Sequence, residues 1–429
     1  HVGPPQGARR RHQGATRETG RRPDMSTPAL YIFDDGRARR WAPFSLTRPI
    51  AEISFGCGLL RTRTESALGL ECAGHVSRRA LAGFKEAGSP PVVSTEEVNT
   101  ESGAVLISSR VVLTAPVDAI REGVSRIEVA GVTVGWVIPP GGDTPSDLWL
   151  RDPAAAPRDG ESLSWEGALL AHPWDLVEHN PDAISADIAA LGATSPPPVG
   201  VVMIGDGGLS IAESAVIEPG VVLDTRAGPI RLADSVRVEG PARLVGPLAV
   251  GEGTILLGGS IGGSSIGRDC KVRGELWGSL LGDRVNKAHE GHIGRAVIGA
   301  WVNLGAGTTN SDLKNNYGTV TVWTPDGDVD TGRIKVGCFI GDHVKTGIGT
   351  LLNTGTVIGA GSNVFGGAMP PTAVPPFSWG SGANLTTHKI ERFLETTERV
   401  MSRRSLELDD SMKALFKRAW SVTATQRPE

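Results

Sequence analysis

Residues 298–303 read Ile-Gly-Ala-Trp-Val-Asn, residues 304–309 read Leu-Gly-Ala-Gly-Thr-Thr, and residues 358–363 read Ile-Gly-Ala-Gly-Ser-Asn. Each block opens with an aliphatic residue and continues with glycine and other small residues. A period of six differs from the periods of strands and helices, and it indicates a parallel β-helix whose triangular coils take three hexapeptides each. We therefore expect the aliphatic residues to stack inside the coil, while glycine permits the backbone to turn at the corners.

The same period runs through much of the C-terminal half. Its aliphatic positions, with one threonine among them, are Leu232, Val238, Leu244, Val250, Leu256, Ile340, Thr346, Leu352, Ile358 and Val364. Two stretches break the period, Leu276–Gly294 and Ser311–Arg333. Insertions in a solenoid form loops on one face, which is often the binding face. We therefore expect the chemistry in these two stretches.

The chain changes character near residue 200, after the proline-rich stretch at 195–198, which cannot continue a helix. We predict a disordered tail over 1–24, an α/β domain over 25–198, the β-helix over 199–380 and helices over 381–429. Short buried strands are expected in the α/β domain, together with a helix over Glu65–Ala87. The three expected strands are Ala29–Phe33, Ala104–Ile107 and Val132–Ile138.

Three further helices are predicted from apolar residues that recur at helical spacing. The first connects the two halves and carries Trp174, Leu176, Ala183, Ile184 and Ile188. The other two follow residue 380, and we expect them to cap the open coil or to pack on a neighbour. Their apolar faces contain Ile390, Phe393, Leu394, Thr397 and Met401, then Met412, Leu415, Phe416 and Trp420.

Composition narrows the function classes. The 429 residues are 39% hydrophobic and 21% charged with a net charge of −4, as in an ordinary soluble globular protein. No basic stripe is present, which argues against a nucleic-acid partner. No apolar run approaches the roughly 18 residues that span a bilayer. The four cysteines form no C-x-x-C pair, so neither a zinc site nor a disulfide framework is suggested and a reducing cytoplasm fits.

An unusual group of polar residues interrupts the apolar repeat. Residues 286–308 read NKAHEGHIGRAVIGAWVNLGAGT, and residues 314–318 read KNNYG. Over residues 265–366 this pattern resembles the acetyltransferase half of the GlmU-type bifunctional enzymes, which acetylate glucosamine 1-phosphate and then uridylylate it. The resemblance implies a left-handed β-helix acyltransferase fused to an α/β nucleotidyltransferase-like domain, with acetyl-CoA as the donor.

By this resemblance, His289 is the catalytic base, because the run from His289 to Gly299 reproduces the family spacing. Histidine suits the removal of a proton near neutral pH. His292, where the family usually has tyrosine, is then a substrate contact or the competing base. Outside such a motif, an isolated histidine would more often be structural.

The resemblance also implies further contacts. Positions that hydrogen-bond the sugar or the acetyl group are Asn303, Asn316, Tyr317 and Lys335. Positions that line the coenzyme A groove are Ala306, Ile348 and Gly366. The family binds the sugar phosphate with an Arg and a Lys, and the corresponding positions fall near Gly259 and Trp277 here. The identity of the acceptor sugar therefore stays open. Lys287 is one candidate for the positive charge that would bind the phosphate. Asn and Tyr in a loop are also ordinary turn residues.

The sequence contains two other candidate sites, one for a metal ion and one for a nucleotide. His289, His292 and His343 invite comparison with zinc-binding β-helix carbonic anhydrases, but their spacing differs, and we expect no metal site. In the N-terminal half, the loop that should cradle a triphosphate lacks paired glycines. Any phosphate contact would depend on Arg37, Arg40 and Arg48, and Mg²⁺ would be required only if this domain is active.

The sequence therefore predicts acyl transfer from acyl-CoA to an amino sugar phosphate or a nucleotide amino sugar by a cytoplasmic homotrimer. One alternative is a magnesium-dependent sugar-1-phosphate nucleotidyltransferase that forms UDP- or dTDP-sugars. A second alternative is a non-catalytic trimeric scaffold.

Overall fold

The computed structural model describes residues 27–114, 116–117, 123–158, 160–192 and 196–427. The predicted tail over 1–24 lies outside these residues. The N-terminal part forms a seven-stranded mixed sheet around Ala29–Phe33, which pairs in parallel with a strand on either side. In sheet order its strands are Glu161–Trp165, Val124–Val129, Val132–Ile138, Ala104–Ser108, Ala29–Phe33, Cys72–Val76 and Val92–Val93. The three predicted strands are thus present.

In the described residues, three α-helices, five short 3-10 helices and four short strands complete this part. The helices are α1 (Leu60–Leu68), α2 (Asp147–Arg151) and α3 (Pro173–Ala190). The short strands are Ser54–Phe55, Gly58–Leu59, Val111–Leu113 and Gly167–Leu169. The sheet is buried on both sides, because Leu30 and Ile32 enter one apolar core whereas Tyr31 and Phe33 enter another. Continuous apolar runs are typical of strands covered on two faces.

The predicted helix over Glu65–Ala87 is wrong. Helix α1 ends at Leu68, where Gly69 takes the left-handed conformation with φ 64° that commonly stops a helix. The chain then continues as the strand Cys72–Val76 beside Ala29–Phe33. Pairing with a buried central strand thus overrides the helical spacing of the side chains.

The C-terminal part is a parallel β-helix with three faces. Face I contains Val216–Ile217, Arg237–Val238, the first parts of Ile255–Gly262 and Lys271–Trp277, Asn286–Lys287, Lys345–Thr346, Asn363–Phe365, Ser378–Ser381 and, antiparallel at its end, Asn384–Thr387. Face II contains Val202–Ile204, Val222–Asp224, Ala242–Val245, the second parts of Ile255–Gly262 and Lys271–Trp277, His292–Gly294, Thr309–Asn310 and Leu351–Leu352. Face III contains Leu209–Ile211, Ile230–Leu232, Leu248–Val250, Ser265–Ile266, Leu280–Leu281, Val297–Ile298, Phe339–Ile340, Val357–Ile358 and Ala373–Val374.

The inward stacking expected from the six-residue period is confirmed. Every aliphatic position of the two series is buried, and Thr346 is buried with them. One corner, between faces III and I, needs a left-handed residue on coil after coil, and Asp269, Arg284, Trp301 and His343 all have φ between 55° and 63°. Non-glycine residues seldom adopt this conformation, so the packing of neighbouring coils must enforce it.

Only one of the two breaks in the period leaves the solenoid. Residues 276–294 remain in the ladders, because Glu275–Trp277 pairs with His292–Gly294. The expectation of an insertion there is wrong, since this is a coil of slightly different length. The stretch Ser311–Arg333 does leave, and it carries the antiparallel hairpin Thr321–Thr324 and Gly327–Asp330.

The N-terminal part covers face III. The outward residues Leu280, Val297, Phe339 and Val357 share one apolar cluster with side chains that include Trp174 of α3. The insertion hairpin joins this cluster through its own apolar residues. Helix α3 thus lies between the two halves as predicted, and all five of its predicted apolar residues are buried. The boundaries at 198 and 380 stay predictions.

Two helices, α4 (Ile390–Ser402) and α5 (Asp410–Val422), end the described chain as predicted. Phe393 and Phe416 pack on the corner between faces III and I, against His343. Leu81 and Phe84 of the N-terminal part share this cluster, so the helices bind the two halves together along the side of the solenoid. Within the described ranges, no helix has both the length and the apolar character needed to cross a bilayer.

Candidate functional site at the corner of faces I and II

One corner of the β-helix brings together four predicted site residues. His289, Ala306, Ile348 and Gly366 each lie three positions after a residue of one continuous ladder on face I, formed by Asn286, Asn303, Lys345 and Asn363. The four residues therefore occupy the same corner on successive coils. The N–H of Gly349 donates to the carbonyl of Ala306, as this stacking requires.

The corner is exposed. His289 and Gly366 are accessible, and the Ile348 side chain is 79% exposed, which is unusual for an isoleucine. The corner lies opposite face III, the face that the N-terminal part covers. The proposed base and the three proposed coenzyme A positions thus share one open edge of the solenoid.

Lys287 is not positioned to bind substrate. It pairs with the inward residue Val272 and is 2% exposed, so its side chain lies inside the coil. Its Nζ donates to the carbonyl of Arg273 at 2.6 Å and to that of His289 at 2.9 Å. Burial lowers the pKa of Lys287 to about 8, against the opposing effects of Glu290 and Glu275. The expected phosphate contact is therefore corrected: Lys287 supports the backbone of the corner from within.

His292 lies on face II with a carboxylate beside it. Its Nδ1 is 3.2 Å from Oε2 of Glu275, which occupies the paired position one coil earlier. A carboxylate beside an imidazole can hold the ring in one orientation. Among the described residues, the His289 ring has no such partner. The geometry therefore leaves His292 as an alternative to His289 for the role of base.

The remaining predicted substrate contacts lie on two different parts of the chain. Asn303 is on face I, where its Oδ1 accepts a hydrogen bond of 2.7 Å from Asn286 Nδ2. Asn316 and Tyr317 lie on the insertion after face II, and the Oδ1 of Asn316 accepts from the N–H of Gly318 in a local turn. Lys335 is exposed and bridges to Leu313 at the base of the insertion. Within one chain, face II separates these three insertion residues from His289.

His343 has a structural position. Its ring is buried, stacks on Trp301 and meets Phe393 and Phe416 edge-on. Burial lowers the pKa of His343 well below its ordinary value, and Lys345 and Arg48 add to this effect. In the part of the chain that the structure describes, no three His, Cys, Asp or Glu side chains are grouped so that they could hold a metal ion.

The two aspartates that follow Ala29–Phe33 are fully engaged in structural hydrogen bonds. Asp34 accepts from Ser109 Oγ at 2.7 Å and from the N–H of Ile50 at 3.2 Å. Asp35 is paired with Arg110, whose Nη2 lies 2.7 Å from Oδ2. Both carboxylates are buried. These residues do not fit a magnesium site, because a guanidinium stands where a cation would have to bind.

Arg37 and Arg40 do lie at a cavity, whereas Arg48 does not. The cavity, of about 520 Å³, lies at the end of the central strands and is also lined by Arg110. Arg40 makes an ion pair with Asp326 at the tip of the insertion hairpin. Arg48 is buried elsewhere against Asp342 of the β-helix, at 2.9 Å. Its expected role at a nucleotide is corrected, because its charge joins the two halves of the chain.

Comparison with known proteins agrees with this two-part architecture. Residues 30–195 match the family model described as sugar nucleotidyl transferase. The bifunctional sugar-1-phosphate nucleotidylyltransferase/acetyltransferase of Sulfurisphaera tokodaii is 38% identical over 81 residues, which are 19% of this chain and 20% of that protein. The bifunctional protein GlmU of Methanococcus maripaludis is 28% identical over 194 residues, 45% of this chain and 42% of that protein. The chain is thus similar to these bifunctional enzymes over part of its length.

The chain spans less than half the length of these curated relatives. The bifunctional protein GlmU of Trichormus variabilis is 28% identical over 41% of this chain and 40% of that protein. Among solved structures, an Arabidopsis UDP-N-acetylglucosamine acyltransferase matches at 15% identity with a TM-score of 0.17, covering 47% of this chain and 79% of that one.

Sequence reasoning missed Glu275 and misjudged the direction of the Lys287 side chain. Glu275 beside His292 could have been found by stepping back one coil along face II, once the true coil length was known. The inward direction of Lys287 could have been found from its pairing with Val272. Both depend on the register between coils, and the assumed break over 276–294 concealed that register.

Proposed function

We propose that the β-helix transfers an acetyl group from acetyl-CoA to the amine of an amino sugar phosphate or a nucleotide amino sugar. The observation that carries the proposal is the alignment of His289, Ala306, Ile348 and Gly366 along one exposed corner. The small residues Ala306 and Gly366 leave room beside the corner, and Ile348 offers an apolar surface, which fits a groove for an extended thioester donor. The curated relative from Sulfurisphaera tokodaii, whose name includes acetyltransferase, supports the same class of reaction.

In this proposal, His289 removes a proton from the acceptor amine as the nitrogen attacks the thioester carbonyl. The carbon–sulfur bond breaks, an amide forms, and the proton passes to the departing thiolate. A positioned base of this kind contributes roughly 10² to 10⁴-fold to the rate. Lys287 holds the carbonyl of His289 from inside the coil and so positions the base. His292 contacts the acceptor, with Glu275 orienting its ring.

The test measures CoA release with acetyl-CoA and a panel of amino-sugar phosphates and UDP- or dTDP-amino sugars. We expect His289→Ala to lose 10² to 10⁴-fold in turnover while acetyl-CoA affinity stays near normal. His292→Ala should mainly raise the Michaelis constant. Glu290→Gln, at the exposed neighbouring position, is the matched control and should retain activity.

Three results would change the proposal. If His292→Ala loses turnover and His289→Ala does not, the base is His292 with its Glu275 partner. If both variants keep wild-type turnover, acyl transfer does not use this corner. If the wild type releases no CoA with any acceptor in the panel, the scaffold alternative replaces the enzyme.

We also propose that the chain acts as a cytoplasmic homotrimer, with faces I and II meeting neighbouring copies. Face III is already covered, whereas Trp277, Leu351 and Trp379 on the other two faces remain 39% to 46% exposed. Large exposed apolar side chains favour association. Such contacts could bring Asn316, Tyr317 and Lys335 of one copy to His289 of another. Light scattering that reports a monomer at micromolar concentration would exclude this assembly.

Nucleotidyl transfer by the N-terminal part is a second candidate, because residues 30–195 match the sugar nucleotidyl transferase model. We propose that this activity is lost or weak, since Asp34 and Asp35 are occupied by neighbouring donors. The cavity beside Arg37 and Arg40 would still admit a nucleotide. Strong magnesium-dependent pyrophosphate release from NTP and a sugar 1-phosphate would refute the loss.

A further inference from the structure

A second cavity, of about 560 Å³, lies where four segments of the chain meet. The N-terminal part contributes Arg39, Arg40 and Arg78, the insertion hairpin contributes Trp323, and face III contributes Val374. Thr423 and Gln426, at the end of the described chain, close one side. Because face III is opposite the His289 corner, this cavity is separate from the proposed acyltransferase site.

Among the described residues that line the cavity, three are arginines and none is acidic. Two of these arginines have acidic partners outside the lining: Arg39 lies 3.5 Å from Asp147, and Arg40 pairs with Asp326. Arg78 differs, because within the described residues no carboxylate lies within ion-pairing distance of its guanidinium. One positive charge at this cavity therefore lacks a counter-ion.

Arg78 is also short of hydrogen-bond acceptors. Its Nη2 donates to the carbonyl of Ser45, but its Nε is buried with no partner in the described chain. The nearest acid to act on its pKa is Asp34, whose oxygens are taken by other donors such as Ser109 Oγ. Burial lowers the pKa of Arg78, with Arg39 adding to this effect. The guanidinium therefore has a backbone acceptor but no carboxylate partner among the described residues, and an anionic ligand in the cavity would supply the missing negative charge.

Much of the remaining lining is apolar. Leu46, Trp323, Pro325, Pro375 and Pro376 face the same space as the arginines. The volume falls in the range of small-molecule sites, roughly 300 to 1,000 Å³. An aromatic side chain beside a cationic group suits a ligand that joins a flat ring to an anion.

We propose that this cavity binds a phosphate-bearing small molecule with a flat apolar portion, its anionic group on Arg78 and its flat portion against Trp323. The site differs from the cavity at the end of the central strands, which Gly36 and Arg110 line. Arg40 borders both cavities. Because its walls come from the N-terminal part, the insertion and face III, a bound ligand would stabilise the contact between the two halves.

The test uses inorganic pyrophosphate, ADP and UDP as probes, with isothermal titration calorimetry and thermal unfolding of the full chain. We expect at least one nucleotide to bind more tightly than pyrophosphate and to raise the unfolding temperature. Arg78→Met should weaken that binding at least tenfold. Arg79→Met, the exposed neighbour that does not line the cavity, is the matched control and should bind as the wild type does.

A second variant keeps the test decisive if Arg78→Met fails to fold. Ala373→Trp fills the cavity from face III, far from Arg37 and Arg110, and circular dichroism checks its fold. We expect this variant to lose nucleotide binding as well. The proposal is overturned if neither nucleotide binds the wild type, or if both folded variants bind as the wild type does, because the binding would then lie in the other cavity.

Discussion

The ion pair between Arg48 and Asp342 connects the two halves of the chain, and its removal should weaken the whole molecule. Asp342 accepts from Arg48 Nε at 2.9 Å, from Thr47 Oγ1 at 2.7 Å and from the N–H of Ala300 at 2.8 Å. Burial lowers the pKa of Arg48, but Asp342, with Glu86 and Glu52, raises it above its ordinary value. The guanidinium is therefore charged and depends on this carboxylate.

Asp342→Ala leaves that charge buried without its partner, since the Arg48 side chain is only 8% exposed. Breaking a buried pair in this way costs about 3–5 kcal/mol. We expect the free energy of unfolding to fall by this amount. Urea unfolding, followed by tryptophan fluorescence and far-UV circular dichroism, measures it, and separate transitions for the two halves are the expected sign of a weakened junction.

Two controls isolate the cause. Asp312→Ala removes a partly exposed pair with Arg295 at 3.5 Å and should cost about 1 kcal/mol or less. The double change Arg48→Met with Asp342→Leu removes both charges and should recover the part of the loss that comes from the unpaired charge, whereas the donors of Thr47 and Ala300 remain without their acceptor. A loss below about 1 kcal/mol in Asp342→Ala would refute the reasoning, since Arg48 would then have found water or another acceptor.

Two further predictions concern the corner that carries His289. Burial lowers the pKa of Lys287 to about 8, so the unfolded chain holds its proton more tightly and stability should rise with pH between about 8 and 10.4. The stability of the wild type relative to Lys287→Met should therefore rise by up to about 3 kcal/mol between about pH 8 and pH 10.5, and a stability difference that does not depend on pH would contradict this. Gly291→Ala places a methyl group 2.2 Å from the carbonyl oxygen of Thr308, at a residue whose φ is 132°. We expect this change to lower the free energy of unfolding by about 2 kcal/mol or more, as measured by thermal unfolding. The control Gly332→Ala has open space around the new methyl group and should cost about 1 kcal/mol.

Local sequence patterns correctly predicted those elements in which the spacing of apolar residues matches the side of the element that is buried. The inward positions Leu244, Ile340 and Ile358 are buried because stacking of the coils removes the inward aliphatic side chains from water. Helix α3 is present as expected because its apolar residues are likewise buried in the structure. The pattern failed over Glu65–Ala87, where pairing with Ala29–Phe33 decided the conformation. A contact partner distant in the sequence leaves no trace in the local period.

The candidate site was predictable only in part. His289, Ala306 and Gly366 were implied by the resemblance to the GlmU-type enzymes, and they share one corner because each coil presents that corner at a nearly regular interval. The direction of Lys287 could not, since a shift of one residue in a strand exchanges the inside and the outside of the coil. Glu275 became visible as a partner of His292 only when the register between their strands was known.

The sequence by itself determined the solenoid, because an aliphatic residue at every sixth position and glycine at the turns satisfy a requirement that each coil meets with its immediate neighbours. Only the tertiary structure decided which face of the solenoid is covered, which corner stays open, and where charges from distant segments meet. Arg48 reaches Asp342, and Arg78 reaches a cavity walled by face III, across the junction of the two halves. Such contacts depend on how two separately patterned surfaces dock, and the pattern of either surface alone does not specify the partner.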